Sequence, residues 1–404
     1  MTTQKQPGTA ATISLETLHE VVETLAPLDR TPCSIGELIA AEWLVDRFRA
    51  AGCDDVVLET EPSWGTFPPT VIATGVIGLV GGVAALCGRR AIGTLLATLA
   101  ALGVVDEAQN GPRVLRKLLK QKLETVNVVA RVGDPNASHT LLMLAHHDAP
   151  QTGAIFDQSL VRKIHARWPE FIESRKASPP QWWLGLAAPV LCAVGALTGR
   201  RRLTKTGFAL GLVGTGLVAD IHRSPTVPGA NDNLSGVAAL VAIAEALRDN
   251  PIDGVNVWLV SCGAEETMQD GIRAFIARHG SELRASNACA LNFDTVGSPN
   301  LCMLEGEGPI WMEKYCGPEF RDLIERAAND NAIALERGLS ARSSTDSVIT
   351  SRAQLPTTCL VSLNEWRGLS NYHLMTDTPE NLDYATVAEA ARLGYATAVA
   401  ISQS

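Results

Sequence analysis

Apolar runs of strand length alternate with segments of helical period along most of this chain. The strand-length runs fall at residues 55–60, 124–132, 139–146, 255–261, 287–293 and 356–362. Between and after them, apolar positions spaced at about 3.6 residues predict helices near 234–248, 269–279, 318–329 and 384–402. An earlier helix starts after Ser34, which forms a capping box with Glu37, and ends near Gly52. Strands alternating with helices predict an α/β fold, with a mostly parallel central sheet covered by helices on both faces.

Two stretches break that rhythm. Residues 70–105 are apolar on either side of Gly88-Arg89-Arg90, and residues 182–219 are apolar on either side of Thr198-Gly199-Arg200-Arg201-Arg202. Each reads as an inserted helical hairpin with a basic tip. Glycines Gly75, Gly78, Gly81 and Gly82 in the first, and Gly207, Gly211, Gly214 and Gly216 in the second, allow close helix approach in lipid. Trp64 and Phe67 precede one hairpin and Trp182-Trp183 opens the other, as residues at a bilayer interface do. A spanning helix needs roughly 17–25 residues, and the arms approach that length. The expectation is two membrane-spanning hairpins and a multi-pass protein in contact with the lipid bilayer; the competing one is a soluble helical lid.

Sidedness follows from the basic residues. Arg113, Arg116, Lys117, Lys120, Lys122, Arg162, Lys163, Arg167, Arg175 and Lys176 flank the hairpins on the side of the α/β domain and outnumber those at the tips, which favours a cytoplasmic α/β domain. Met1 to Ser14 is polar and shows no signal-peptide core. Arg113 to Lys122, interleaved with Val114, Leu115, Leu118, Leu119 and Leu123, reads as an amphipathic helix on the membrane surface.

A length of 404 residues suggests two domains. The candidate site residues, however, run from 146 to 373, so the chain reads as a single α/β domain over 1–404 that carries the hairpins 70–105 and 182–219. Mean hydropathy is +0.10 although 19% of residues are charged, which leans toward a membrane protein. A net charge of −9 argues against nucleic acid as a partner. The nine cysteines are scattered without a CxxC pair and read as reduced thiols. Oligomeric state leaves no mark in the sequence.

The chemistry lies at strand ends and turns. Leu141-Leu142-Met143-Leu144-Ala145-His146 is an apolar run ending in a histidine, and Asp148 two residues on can fix that ring's tautomer. Gly229-Ala230-Asn231-Asp232-Asn233 is turn chemistry before a helix. Val257 to Cys262 leads into Glu265-Glu266, Ala288 to Phe293 ends in Asp294, and Tyr372-His373 sits in a loop closed by Asp377-Thr378-Pro379. Ligands of open α/β sheets bind outside such strand ends. Two divalent cations sharing one carboxylate need two further ligands each and an unligated base. Imidazole and carboxylate donors without thiolate suit zinc, with manganese or cobalt as substitutes.

These segments resemble the zinc exopeptidase family of bacterial leucyl aminopeptidase, aminopeptidase Y and the glutamate carboxypeptidases. The resemblance covers roughly residues 15–60 and 124–402. It implies one zinc held by His146 and Asp294, a second held by Glu266 and His373, and Asp232 bridging the two. It further implies Glu265 as general base, Asp148 as partner of His146, and Tyr372 as donor to the oxyanion. A membrane-associated di-zinc aminopeptidase acting on peptides is the expected function. A two-metal N-acyl amino acid deacylase or dipeptidase is the nearest alternative, and a noncatalytic membrane receptor or scaffold is one of another class.

Three departures from the family pattern stand out. His147 replaces an aromatic residue and reads as a packing substitution. Ser344-Thr345-Asp346-Ser347-Val348-Ile349 lacks the histidine and phenylalanine of a stretch that shapes the family's substrate pocket. Residues 147–231, which include the second hairpin, stand where the family has a short loop.

Overall fold

The computed structural model describes residues 12–119 and 122–403. Among them, nine strands form one sheet: β1 Asp55–Ser63, β2 Leu123–Gly133, β3 Thr140–His146, β4 Asn256–Cys262, β5 Cys289–Phe293, β6 Asn300–Glu307, β7 Glu313–Lys314, β8 Glu336–Ala341 and β9 Thr357–Leu363. The order is β1-β2-β4-β3-β5-β9-β6-β7, with β8 paired to β6. β4, β3, β5 and β9 run parallel at the centre. β1, β2 and β4 pair antiparallel, as do β9, β6 and β7. The expectation of a mostly parallel sheet therefore holds at the centre and is corrected on both flanks. Parallel strands require burial on both faces. β3 has it throughout, whereas the antiparallel β1 is partly exposed; β8, which pairs parallel to β6, is the exception in being only partly buried.

The helices are α1 Leu15–Leu25, α2 Ile35–Ala50, α3 Pro68–Leu86, α4 Arg90–Ala108, α5 Val114–Leu119, α6 Ser159–Arg167 and α7 Pro169–Glu173. They continue with α8 Trp183–Thr198, α9 Arg201–Arg223, α10 Ser235–Asp249, α11 Asp270–Ala285, α12 Pro318–Asp330, α13 Asp346–Arg352 and α14 Tyr384–Ser402. Side chains alternate across a strand, so β3 feeds two cores. Leu141 and Met143 pack with Leu18 of α1, Leu44 of α2, Leu240 of α10 and Leu393 of α14. Leu142 and Leu144 pack on the other face with Phe275 of α11 and Val348 of α13. This two-sided burial explains why β3 is a continuous apolar run that ends abruptly in His146.

α3, α4, α8 and α9 form a four-helix bundle beside the sheet. Glycines let the backbones meet: a Cβ on Gly93 would lie 2.7 Å from Gly81 O, and one on Gly207 2.6 Å from Ala188 O. The tips are joined by Arg90, which donates to Ala196 O at 2.9 Å and Leu197 O at 2.7 Å, satisfying carbonyls at the end of α8. The outer surface is apolar, with Val80, Leu95, Leu99, Leu102, Leu197 and Val213 all more than half exposed. α3 and α4 are each 19 residues long and apolar enough to cross a membrane; α8 is a shorter apolar helix of 16 residues.

α5 occupies part of the stretch read as a surface helix, and Lys120 lies outside the described residues, as do residues 1–11 of the polar N-terminus. Its orientation differs from a basic face turned to lipid headgroups. Arg113 is buried against Asp270 and Arg116 against Glu107, while Val114, Leu118 and Leu119 are exposed. The capping box is half formed. Ser34 Oγ accepts from Glu37 N at 3.1 Å, but the Glu37 carboxylate accepts from Cys33 N, Thr125 Oγ1 and Ala264 N. Glu37 thereby ties α2 to the turn that carries Glu265.

Candidate metal centre

The centre lies beyond the C-terminal ends of β3, β4 and β5. β3 delivers His146, whose Nδ1 faces Asp148 Oδ1 at 3.4 Å, leaving Nε2 3.3 Å from Asp232 Oδ1. Asp148 also accepts from the backbone N–H of Glu265 and of Glu266, each at 3.0 Å. Asp148 thus orients the first histidine, with its backbone O 3.2 Å and its Oδ1 3.4 Å from Nδ1, and its carboxylate fixes the paired-glutamate turn. His147 points into the core, with Nδ1 2.9 Å from Ser261 Oγ, and burial pushes its pKa down to about 4. That is the packing role expected of it.

The Asn231-Asp232-Asn233-Leu234-Ser235 turn is cross-linked to the loop after β5. Asn231 Oδ1 accepts from Gly297 N at 2.8 Å, Asn233 Oδ1 from Thr295 N at 3.0 Å, and Ser235 Oγ from Val296 N at 3.0 Å. These side chains replace a sheet ladder where the chain leaves regular structure, and they fix Asp232 relative to Asp294. The Asp232–Asn233 peptide is cis. Asp377 accepts from Asn231 N at 2.8 Å and Asp232 N at 3.1 Å, holding the turn from the far side.

Asp232 is central. Its Oδ2 lies 3.1 Å from His373 Nε2, which in turn is 3.5 Å from Glu266 Oε1. Donor atoms of His146, Asp232 and Glu266 all fall within 4.8 Å of one another. Asp294 lines the same cavity, with Oδ1 accepting from Thr295 Oγ1 at 2.9 Å. His373 has φ 54° and Ala264, just before Glu265, φ 49°. Such non-glycine backbone is uncommon and clusters at functional sites. The Tyr372 ring lies 3.9 Å from the His373 ring on the cavity wall.

Electrostatics follow from packing this much charge into a dry pocket. Burial raises Glu265 well above the ordinary carboxylate range, raises Glu266, and lifts Asp294 to about 6. Burial also disfavours an ionised Asp232, yet the His146 and His373 rings facing its two oxygens hold it below its usual value. For His373, burial opposes protonation, but Glu266 and Asp232 outweigh it and lift the ring to about 9.

Among the described residues, Asp232 Oδ2 and both ring nitrogens of His373 are buried without a hydrogen-bond partner. Facing donors of this kind suit a cation, and an imidazole–carboxylate set suits zinc. His146, Asp232, Glu266, Asp294 and His373 therefore fit the expected metal.

Three supporting residues carry no local sequence signal of their role. Arg30, fully buried, donates to His147 O at 2.8 Å and Pro228 O at 2.8 Å, bracing the strand end against the turn. Gln269 donates to Glu265 Oε1 at 2.5 Å and to Ser344 O at 2.9 Å. Asn110, just beyond α4, donates to Gln269 Oε1 at 2.8 Å. In each case one partner is a backbone carbonyl or an amide distant along the chain, which no spacing rule reveals.

A sequence profile of Peptidase family M28 matches residues 217–398. The probable lipoprotein aminopeptidase LpqL of Mycobacterium tuberculosis is 29% identical over 207 residues, covering 45% of this chain and 40% of that protein. The chain thus matches less than half the length of this curated relative. An aminopeptidase from Aneurinibacillus sp. strain AM-1 superposes with a TM-score of 0.56 at 14% identity, over 95% of this chain and 93% of that one. A Zn-dependent exopeptidase from Parabacteroides distasonis gives 0.53 at 13%, over 95% and 97%. A glutaminyl cyclase from Fimbriiglobus ruber gives 0.56 at 12%, over 98% and 99%. Identities this low show a shared fold. The profile match takes in Asp232, Glu266, Asp294 and His373, so residues 217–398 are similar to Peptidase family M28.

Proposed function

We propose that the protein is a membrane-associated aminopeptidase that uses two zinc ions and hydrolyses peptide bonds at a free amino end. The observation that carries this reading is the Asp232 carboxylate, with one oxygen facing His146 and the other facing His373. In the proposal His146 and Asp294 would hold one zinc and Glu266 and His373 the other, with Asp232 shared between them. Two bound zinc ions would supply Lewis acidity at the scissile carbonyl and a water of lowered pKa. Glu265 would take a proton from the attacking water and return it to the leaving amine. Gln269 holds Glu265 in place for both transfers. Tyr372 donates to the oxyanion, an interaction worth roughly 3–4 kcal/mol per donor in other enzymes. Asp148 keeps His146 in the tautomer that leaves Nε2 free for metal.

Residues 1–404 act in this reading as one α/β catalytic unit with two inserted hairpins, 70–105 and 182–219. The hairpins enter the bilayer through the apolar outside of the bundle, with exposed Leu118 and Leu119 of α5 at its surface. The catalytic unit sits on the cytoplasmic side. The exposed Lys117, Lys122, Arg162, Lys163, Arg167 and Lys176 support that placement, while buried, paired Arg113 and Arg116 no longer do.

The decisive experiment compares wild type with Glu265→Gln in detergent. Elemental analysis is expected to find two zinc ions per chain in both, with turnover of leucyl-p-nitroanilide lower by about 10³-fold or more in the variant. Wild-type activity in Glu265→Gln removes it from the base role. Cleavage of N-acetyl-leucine in preference to leucyl-p-nitroanilide would favour a deacylase.

A further inference from the structure

One cavity of about 490 Å³ joins the metal centre to the four-helix bundle. His146, Asp232, Glu265 and His373 bound it at the catalytic end; Phe67, Leu79, Gly185, Gly214 and Val218 line it among the helices. Pockets of roughly 300–1,000 Å³ accommodate whole drug-sized ligands, so one amino-acid side chain does not fill this space. The bundle walls are apolar or glycine apart from Thr74 of α3 and Thr215 of α9. A Cβ on Gly185 or Gly214 would meet nothing within 4 Å, so α8 and α9 present open room there. Elsewhere the walls draw together: a Cβ on Gly75 would lie 2.3 Å from Thr215 Oγ1, and one on Gly211 3.1 Å from Leu79 Cδ2. Such a space admits a slim unbranched chain more readily than a row of branched side chains.

We infer that this cavity is a subsite for a long alkyl chain carried beyond the scissile bond, so that the preferred substrate is an amphiphile with a free amino acid at its head. This rests on the aminopeptidase reading and adds the substrate class to it. The reaction stays balanced: water adds to the amide carbonyl, the C–N bond breaks, and the nitrogen leaves as an alkylamine carrying the proton that Glu265 received. The apolar outer surface of the same helices places the subsite where such molecules concentrate.

Leucyl alkylamides from butyl to dodecyl, each below its micelle-forming concentration, test the inference on the zinc-loaded full chain in detergent. Moving methylenes from water to an apolar site is favourable, so a rise in kcat/KM of about tenfold or more along the series is the expected result. Gly185→Leu and Gly214→Leu should flatten the series while leaving leucyl-p-nitroanilide turnover unchanged. Gly216→Leu, on the same helix but off the cavity wall, should behave as wild type. A flat wild-type series with leucyl-p-nitroanilide still cleaved overturns the subsite and leaves the aminopeptidase reading standing. An oligoleucyl peptide gaining more than the dodecylamide overturns the choice of an alkyl chain. Failure to cleave any of these amides overturns the aminopeptidase reading, and binding then decides the subsite. A diazirine-bearing leucyl dodecylamide should crosslink to cavity residues of α3, α8 and α9 and lose those crosslinks in Gly185→Leu. Crosslinks confined to outward residues such as Leu95 and Leu99 overturn it.

Discussion

Glu307 illustrates how single side chains set the behaviour of the pocket wall. It ends β6, is fully buried, and accepts from Thr345 N at 3.0 Å and Thr345 Oγ1 at 3.3 Å. Burial lifts its pKa from 4.5 to about 8. Folding therefore strengthens its hold on a proton. Its contribution to stability is complete below about pH 4.5 and is lost as pH rises through about 8. Glu307→Gln, which carries no charge to desolvate, should lose less stability than wild type between pH 6 and 9. The expected gap is on the order of a few kcal/mol by the upper end, read from unfolding midpoints in detergent. Identical pH profiles for the two proteins would contradict it.

The candidate ligands were legible because each sits at a place where sequence signals change abruptly. The apolar run of β3 stops at His146, and the Asn-Asp-Asn turn precedes the apolar helix α10. Asp377 was visible only as part of a loop, since its work is to accept two backbone N–H groups from a turn far away in sequence. Arg30 and Gln269 went unread for the same reason.

At the level of elements, the buried strands were the readable ones. β1 to β5 and β9 match the apolar runs closely, because burial on both faces, or regular alternation, writes a strong pattern. β6, β7 and β8 did not: β6 is interrupted by Glu305-Gly306, β7 has two residues, and β8 carries Gly338 at φ 78° on a polar edge. α1 and α13 also went unread. The hairpin helices were legible from hydropathy, but their mutual packing rests on contacts that hydropathy does not encode. Gly207 is the clearest case, sitting against the backbone of α8 at Ala188 O and Cys192 N. Gly207→Val should force the helices apart, at a cost of about 1–3 kcal/mol typical of overpacking. A lowered thermal midpoint in detergent, with zinc content retained at low temperature, is the expected result. An unchanged midpoint would show that the approach of α8 and α9 is looser than described.

For the whole molecule, the open question of sidedness has a convenient reporter. Cys87 is an exposed cysteine at the tip of the first hairpin, next to Gly88 and Arg89. The other eight cysteines are buried or partly so. With the catalytic unit in the cytoplasm and the hairpins crossing the bilayer, a membrane-impermeant maleimide should label Cys87 in intact cells, and Cys87→Ser should abolish that labelling. Labelling only after the cells are opened would reverse the orientation or place the hairpins outside the membrane as a lid. The sequence leaned toward the cytoplasm partly through Arg113 and Arg116, and the structure withdraws that part by pairing both with buried acids.

The link from Asn110 through Gln269 to Glu265 has a practical corollary for anyone wishing to simplify this protein. Excising residues 68–108 to obtain a water-soluble enzyme would leave the far end of that relay without its anchor. A shortened version would need a replacement linker that returns an amide to the position Asn110 now holds. In the proposed reading, the membrane hairpin and the general base meet at these two side-chain hydrogen bonds.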